Sequence, residues 1–316
     1  MSWRALSTRL WLFGLLLVAG LGVTFYLALG RIAKSSITQQ LLHQEQIIAR
    51  AEASNIMSFF QAFGDSTAVL AQLHSMERKD AVTAQDMDAF VEQWRDSDLV
   101  GGVVLTDRHG VVLFNSNVLG TRDVGKSLRD RDYFVWAKSQ PKEGEYFIGT
   151  PVVSRTGASK GQVIVPVASP VYQNGVFTGV VVASVKLNSL TKHHLELMRV
   201  SDQEDVYLTN QSGEILYSNS APDSVGSNIF EFLPGLKDTL KPAEEGNLQT
   251  KAHLKAYSPI SLGSQNWSLV TVSSVRDVVS LTTSVYVRLA IMLLLVFLTI
   301  LLFGIVTSRE MERKLK

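Results

Sequence analysis

Two long apolar segments lie near the ends of the chain, and the residues between them show shorter, mixed patterns. The first segment is apolar apart from Thr24 and Tyr26 over about 20 residues, which as an α-helix span ~30 Å, the thickness of a bilayer core. The second, LAIMLLLVFLTILLFGIV, contains no charged residue. The pattern predicts transmembrane helices at residues 10–30 and 288–308.

The basic ends of the chain determine the expected orientation. Residues 1–9 and 309–316 are rich in Arg and Lys, so both ends are predicted to be cytoplasmic and the region between the spans external. Arg31 and Lys34 oppose this orientation more weakly. The apolar core of the first span is too long for a cleaved signal peptide, and no small-x-small cleavage site precedes Arg31, which favours an uncleaved anchor.

A long stalk helix is predicted at residues 31–75, directly after the first span. The segment contains no proline, and its first glycine is Gly64. Apolar residues recur near three- and four-residue spacing at Ile37, Leu41, Ile48 and Ala51. Such a stripe suits a helix packed along its own domain, or a stalk that also pairs with a second copy of the chain. We favour the second interpretation, which predicts a homodimer.

The region between the spans repeats itself. LTDRHGVVLFNSN at residues 105–117 returns as LTNQSGEILYSNS at residues 208–220. A Val-Gly pair follows each copy at nearly the same distance, and the closing strands match when Phe177 is aligned with Trp267 and Val182 with Val272. Matches in the same order over this length indicate an internal duplication.

Each copy is patterned as strand, turn, strand, helix and three further strands. This order predicts an α+β fold in which two antiparallel sheets carry helices against one face. The first copy is placed at residues 76–190 and the second at residues 191–283. The later strands are predicted at residues 145–154, 162–169 and 177–186 in the first copy and at residues 248–252, 254–260 and 267–275 in the second.

One predicted helix, LRDRDYFVWAK at residues 128–138, distinguishes the two copies. It combines two Arg, two Asp and three aromatic residues, whereas Pro234-Gly235 breaks the corresponding helix of the second copy. Such a cluster alone is more typical of a surface helix with ion pairs and a buried aromatic stripe. Because the second copy builds the same scaffold without these donors, the fold does not require them, and we favour a ligand site in the first copy.

These features resemble a double Cache domain, the extracytoplasmic tandem PAS-like sensor of bacterial histidine kinases, diguanylate cyclases and chemoreceptors. The resemblance rests on DRDYF, FIGTPVVSRTGASKGQVIVPV and GVFTGVVVASVKL, and it covers about residues 32–281. It implies two tandem PAS-like antiparallel-sheet units on a long N-terminal helix, in the bacterial inner (cytoplasmic) membrane with the sensor periplasmic or extracellular. By position, the implied ligand-binding residues are Arg129, Arg131, Tyr133, Phe134, Tyr146 and Arg155, and Trp136 adds an apolar wall.

The sequence departs from the amino-acid-binding members of that family. These members have an Arg-x-Trp-Tyr segment and a late Asp that holds the ammonium group of the ligand, whereas Asp132, Tyr133 and Phe134 follow Arg131 here and the late position is Ser184. An unpaired ammonium group in a closed pocket is costly. The remaining donors favour an anion such as a carboxylate. Alternatively, Asp130 and Asp132 neutralise these arginines in place of a ligand.

The composition points away from other functions. Thirty basic and 29 acidic residues give a net charge of +1, which does not suggest nucleic acid as a partner. The chain has no cysteine, and no phosphate loop, GxSxG or HExxH motif. His193 and His194 are expected to face solvent past a strand end rather than bind a metal. No catalytic residue, cofactor or metal is therefore predicted.

Two function classes remain. The residues after the second span, REMERKLK, are too few for an output domain. We therefore expect a transmembrane sensor whose cytoplasmic effector, a diguanylate cyclase or a histidine kinase, is a domain beyond residue 316 or a separate protein. The alternative is an envelope interaction protein whose duplicated domain binds another protein and no small ligand. An exposed apolar patch in place of a closed pocket would favour this alternative.

Overall fold

The computed structural model describes residues 3–120, 123–196, 198, 204–241 and 244–314. The outermost residues of the predicted cytoplasmic ends lie outside this set. The chain divides into two compact units. We call residues 45–248 and 255–272 the sheet unit, and residues 249–254 with the described residues before 45 and after 272 the terminal unit.

The described residues form seven α-helices and eleven strands. The helices are α1 (Trp3–Ala71), α2 (His74–Arg78), α3 (Ala81–Gln93), α4 (Asp132–Lys138), α5 (Leu187–Leu195), α6 (Ile229–Phe232) and α7 (Val275–Lys314). The strands are β1 (Val100–Thr106), β2 (Val112–Ser116), β3 (Phe147–Ile148), β4 (Val152–Val153), β5 (Val163–Gln173), β6 (Val176–Lys186), β7 (Asp205–Asn210), β8 (Ile215–Ser218), β9 (Gly246–Gln249), β10 (His253–Ser261) and β11 (Asn266–Ser274).

The ends of the chain are two apolar helices, as predicted. By length and composition, α1 and the Thr282–Thr307 part of α7 can each cross a membrane. In the terminal unit, the rings of Tyr26 and Tyr286 lie 5.7 Å apart. Large apolar side chains such as Phe25 and Leu294 are more than half exposed on these helices. Apolar surface of this extent is unfavourable in water and suits contact with lipid.

The predicted long helix is confirmed as α1, and its buried face forms the centre of the sheet unit. Ala49, Ala53, Ile56, Phe60 and Phe63 are fully buried and recur every three or four residues, the spacing of one helical face. They share a core with strands of both sheets, because that core also contains apolar residues of β1, β6, β7 and β11. A single apolar core therefore holds both sheets to α1.

Two residues of the predicted dimer stripe pack within their own chain. In the terminal unit, Ile37 and Leu41 are partly buried against a small cluster of Leu42, Leu254 and Val275. These contacts account for the apolar character of the two positions without a second copy of the chain. The homodimer remains a prediction, and other positions of α1 would have to form its interface.

The two sheets have the same topology, which confirms the duplication and the α+β fold. The strand order is β2-β1-β6-β5-β3 in the first sheet, with β4 also paired to β5, and β8-β7-β11-β10-β9 in the second. Both sheets have an irregularity at equivalent positions, between Leu105 and Thr106 in β1 and between Leu208 and Thr209 in β7. Bulges of this kind are specific features of a scaffold and are expected to recur in both copies.

The repeated LT(D/N) motif builds the same turn twice. The carboxylate of Asp107 accepts hydrogen bonds from the backbone N–H groups of His109 and Val111, and the amide oxygen of Asn210 accepts from two equivalent N–H groups. Gly110 and Gly213 both have φ of +83°, which favours glycine. The sequence repeat thus reflects a requirement of the turn, since an Asx side chain can replace the missing backbone acceptor.

The correspondence of the closing strands differs from the prediction by two residues. Val182 lies opposite Val104, and the equivalent partner, Tyr207, lies opposite Val270 rather than Val272. The match of Phe177 with Trp267 is also wrong, since these rings belong to different cores. For Val182 and Val272, a shift of two residues keeps the alternation of inward and outward side chains, so the hydrophobic pattern alone could not detect it.

Two further predictions of local structure were wrong. Residues 145–154 form the short strands β3 and β4 instead of one strand. Pro151 lies between them and lacks an N–H group for the ladder. The helix predicted from residue 128 begins at Asp132, and the residues before it form a turn.

Candidate functional site

A small cavity lies on the face of the first sheet that α4 covers. Its volume is about 30 Å³, which is room for roughly one water molecule. Strands β1, β2, β4, β5 and β6, the N-terminal end of α4 and the loop at residues 154–157 supply its walls. The residues that line it include Gly102, Val104, Asn115, Arg131, Tyr133, Ser154, Arg155 and Ser184.

Arg131 is the half-buried cation of this cavity. It occupies the N-cap position of α4, and its Nη2 donates a 2.9 Å hydrogen bond to the carbonyl of Val153. Its Nε is buried and has no hydrogen-bond partner among the described residues. Since guanidinium donors are normally satisfied when buried, Arg131 retains a donor for a further acceptor in the cavity.

Arg155 also lines the cavity, but its charge is already paired. Both of its terminal nitrogens donate to the carboxylate of Asp130 at 2.7 Å. The hydrogen bond from Arg155 lowers the pKa of Asp130 to about 2. Asp130, one of the two predicted alternative partners of the arginines, therefore pairs with Arg155. Asp132, the other, accepts hydrogen bonds from the N–H and hydroxyl of Thr150, both at 3.0 Å.

Tyr133 and Phe134 follow on the first turn of α4, and both are buried. Tyr133 lines the cavity, and burial raises the pKa of its hydroxyl above the ordinary value. Phe134 packs against Phe177, with ring centroids 6.3 Å apart, in the apolar core under α4. Tyr133 thus presents a protonated hydroxyl to the site, whereas Phe134 supports the wall from behind.

The other three predicted site residues point elsewhere. Arg129 is exposed in the turn before α4, with its backbone against Gly110. Trp136 stacks on Phe147 at 5.2 Å, and both line a separate groove beside α1. Tyr146 lines this groove too. Of the seven predicted residues, Arg131, Tyr133 and Arg155 are therefore brought together at the cavity.

The polar residues that hold the loop at residues 154–157, which we call the covering loop, were not predicted from the sequence. Asn115 is buried in the cavity wall and donates to the carbonyl of Asp123 at 3.3 Å, and the Asp123 carboxylate accepts a 3.1 Å bond from the Gly157 N–H. Ser159 is also buried, next to Gly101, and its hydroxyl has no hydrogen-bond partner among the described residues. The polar run SRTGASKG between two strands was the available signal.

The charges at the cavity are asymmetric. Among the residues that the structure describes, Arg131 and Arg155 are the charged ones that line it, and no carboxylate does. Asp130 neutralises Arg155 from outside the lining. Ser184 also lines the cavity, and its hydroxyl donates to the carbonyl of Gly102 at 3.1 Å. The cavity can therefore offer hydrogen-bond donors and positive charge, but no anionic partner for a bound cation.

A family model described as Cache domain matches residues 31–281. The chain belongs to the Cache domain family. Cache domains are sensory, ligand-binding modules and not catalytic ones. The first sheet with α4 and the second sheet with α6 are its two PAS-like Cache units, and we refer to them as the first and second Cache unit.

Solved structures share the fold at low sequence identity. An extracellular ligand-binding receptor from Desulfohalobium retbaense is 14% identical with a TM-score of 0.58, and the match covers 72% of this chain but only 40% of that receptor. The ligand-binding domain of the Pseudomonas fluorescens chemoreceptor CtaA, in complex with L-serine, is 18% identical with a TM-score of 0.53 (75% and 98% covered). The sensory domain of the Campylobacter jejuni chemoreceptor Tlp3, with isoleucine bound, is 12% identical with a TM-score of 0.58 (78% and 98% covered). No curated protein matches the chain.

The adjacent histidines of α5, His193 and His194, lie differently from the prediction. His193 and His194 belong to α5, and His194 is largely buried, with its ring 6.2 Å from Phe59 and its Nδ1 3.8 Å from a carboxylate oxygen of Glu52. The expectation of two solvent-facing histidines is wrong for His194, because α5 packs this side chain onto α1. Among the described residues, no group of three His, Asp or Glu side chains is arranged to hold a metal ion.

The pairing of Asp130 with Arg155 predicts a specific pH dependence. NMR titration of the Asp130 carboxyl group should give a pKa of about 2, and Arg155→Ala should return it towards ~3.9. Since the folded-state pKa lies below the unfolded value, the stabilisation from this pair is present above pH ~4 and is lost as the pH falls towards 2. Arg129→Ala is the matched control and should leave the pKa low. An Asp130 pKa near ~3.9 in the unsubstituted chain would contradict the pairing.

Proposed function

We propose that the chain is a transmembrane sensor that binds a small anion, with a carboxylate favoured, in its first Cache unit. Arg131 carries this proposal, because it is half-buried in a cavity without a lining carboxylate and keeps an unpartnered Nε. A charge-assisted hydrogen bond to a carboxylate would satisfy that donor. The bound state would be signalled to a cytoplasmic effector, a diguanylate cyclase or a histidine kinase, either as a further domain or as a separate protein.

The chemistry of the cavity separates the proposed ligand from those of the similar structures. The solved domains of CtaA and Tlp3 hold L-serine and isoleucine, which carry an ammonium group as well as a carboxylate. In this chain, Ser184 and its neighbours provide no anionic partner for an ammonium group. Leaving that group unpaired in a closed site costs free energy, so a carboxylate without it fits better.

Ligand entry requires the cavity to open. Because its volume of about 30 Å³ is below that of a typical ligand site, the covering loop and β4 must move. A ligand carboxylate that binds Arg131 would compete with the Val153 carbonyl in β4. Val152 and Val153 also line a groove, distinct from the one beside α1, that reaches residues of the second sheet. Displacement of these two valines offers a route by which ligand binding could affect the second Cache unit.

One observation favours the alternative function of protein binding. Val153, Val163 and Val225 line this groove and are 56%, 43% and 50% exposed. Exposed apolar side chains that cluster in a groove are typical of interaction surfaces. Binding of a partner protein there, with no small molecule bound at Arg131, would support the interaction protein over the sensor.

Substitution of Arg131 tests the ligand site directly. A thermal-shift screen of small carboxylates on the full chain identifies a ligand, and calorimetry then measures its affinity. Arg131→Ala should weaken binding by roughly ten- to a hundredfold, because a hydrogen bond to a charged group contributes ~1.5–3 kcal/mol. Arg129→Ala removes an exposed neighbouring arginine and should bind like the parent chain. Equal affinity in Arg131→Ala and the parent would place the site elsewhere.

The membrane topology gives a separate prediction. We propose that both ends are cytoplasmic and that the Cache units are outside, in the inner membrane of a bacterium. A fluorescent-protein fusion after residue 316 should therefore fluoresce in the cytoplasm, whereas an alkaline phosphatase fusion after residue 286 should be active outside. A phosphatase fused after residue 316 is the control and should be inactive. Activity on the same side from both fusion points would exclude the two-span arrangement.

We also propose that the sensor is a parallel homodimer formed along α1. Since Ile37 and Leu41 pack within the chain, the exposed positions at seam-like spacing, Gln40, Gln44, Ile47 and Ala51, are the better candidates. The chain has no native cysteine, so single cysteines at these positions in membranes should crosslink to form dimers. Cysteines at the buried positions Leu42 and Ala49 are matched controls and should crosslink poorly. Uniform or absent crosslinking would argue against this interface.

A further inference from the structure

A histidine lies in the contact between α5 and α1. Helix α5 follows the last strand of the first Cache unit and precedes the first strand of the second, so it connects the two units. Its buried residues Leu190 and Leu195 belong to the core that holds both sheets to α1. The side chain of His194, on the same helix, is only 13% exposed. The imidazole is therefore enclosed where the connecting helix packs on α1.

The two ring nitrogens of His194 have different surroundings. Nδ1 lies 3.8 Å from a carboxylate oxygen of Glu52 on α1, whereas Nε2 is buried and has no hydrogen-bond partner among the described residues. The ring of Phe59 on α1 lies 6.2 Å from the imidazole and packs in turn on Trp94 at 5.9 Å, which adds aromatic surface and no charge. A neutral imidazole donates one hydrogen bond, whereas an imidazolium donates two. Protonation therefore turns the unpartnered Nε2 into a buried, charged donor, which is costly.

The charged groups around His194 act in opposite directions. Glu52 favours the imidazolium, whereas the adjacent His193, with its ring 5.0 Å away, opposes it. Around the end of α3, Glu92 and Arg95 pair with each other at 2.5 Å and are more than half exposed. Burial is the largest influence and, together with His193, lowers the pKa of His194 below its ordinary value. The packed contact therefore favours the neutral form of His194.

We propose that His194 is a proton switch, which keeps α5 packed on α1 when neutral and releases it when protonated. In the released state, water reaches the Nε2 donor that has no partner in the packed contact. Because α5 connects the two Cache units, its release changes the structural link between them. External pH is then a second input to the sensor, separate from the anion at Arg131. This role as an external input rests on the proposed topology, whereas the switch itself is measured on the purified chain.

Proton linkage determines the direction of the response. Since the packed state holds His194 with a pKa below the unfolded value of ~6.5, the released state binds the proton first as the pH falls. The contribution of neutral His194 to packing is thus fully present above pH ~6.5 and is lost as the pH falls through the window below it. One proton changes the ratio of the two states by at most about tenfold per pH unit.

Hydrogen exchange of the α5 backbone tests the switch in the full chain, reconstituted in nanodiscs without added carboxylate. Protection of peptides from residues 187–195 is compared at pH ~7.5 and ~5.5 after correction for the intrinsic exchange rate. At the lower pH, protection should fall by roughly three- to tenfold in the parent chain. It should stay unchanged in His194→Gln, which keeps a polar side chain that does not titrate. An equal pH effect in the parent and in His194→Gln, or no effect in the parent, overturns the proposal.

Two further variants separate the switch from its surroundings. His193→Gln removes the exposed neighbouring imidazole and should keep the response. Arg131→Ala should also respond like the parent chain, so the outcome does not depend on the proposed anion site. Loss of the response in His193→Gln would assign the titration to His193 and overturn the role of His194.

A measurement on the unsubstituted histidine guards against loss of folding in His194→Gln. NMR of ¹³C-labelled histidine rings should show one imidazole that titrates below ~6.5 and that responds to substitution of Glu52. Glu52→Gln should lower the pKa of this imidazole further, since the Glu52 carboxylate favours its charged form. Titration of His194 at ~6.5 or above in the parent chain would also overturn the proposal.

Discussion

The packing of both sheets against one face of α1 is the contact on which the rest of the structure depends. Ile56, Phe60 and Phe63 enter a core that strands of the first and the second Cache unit complete. Both sheets share this core, so the same helix sets the position of each. Since α1 runs without a break from Trp3 to Ala71, the helix that organises the sensor is the same helix that contains the first span.

The duplication shows how one scaffold supports two different chemical environments. The Asx turn, the bulge and the strand order recur because backbone hydrogen bonding requires them. The face away from α1 carries different residues in the two units. There the first unit has Arg131 on the N-terminal end of a helix, and the second has Lys255 on a strand. The shared scaffold therefore supplies the face, and the residues on that face determine its chemistry in each unit.

Local patterns in the sequence predicted the helices, strands and turns, but they did not predict the direction in which side chains point from these elements. The spacing of apolar residues in α1, the repeated turn and the helix break at Pro234 were all sufficient for the fold. The same patterns could not show that Trp136 and Tyr146 line the groove beside α1 while Tyr133 lines the cavity, since all three are aromatic residues that are at least partly buried. They also could not show which aspartate pairs with which arginine, because Asp130 reaches Arg155 across 25 residues of sequence.

The energy available to the proposed switch is limited by what Arg131 exchanges. In the closed cavity its Nη2 bonds to a neutral acceptor, the Val153 carbonyl, which contributes ~0.5–1.5 kcal/mol. A ligand carboxylate would replace this with a charge-assisted bond of ~1.5–3 kcal/mol, a gain of roughly 1–1.5 kcal/mol for the open state. By itself this gain shifts the balance of open and closed states only about tenfold. A response steeper than this requires that the ligand also engage the unpartnered Nε of Arg131 and the Tyr133 hydroxyl, because a ligand shifts a conformational equilibrium only by its differential affinity for the two states.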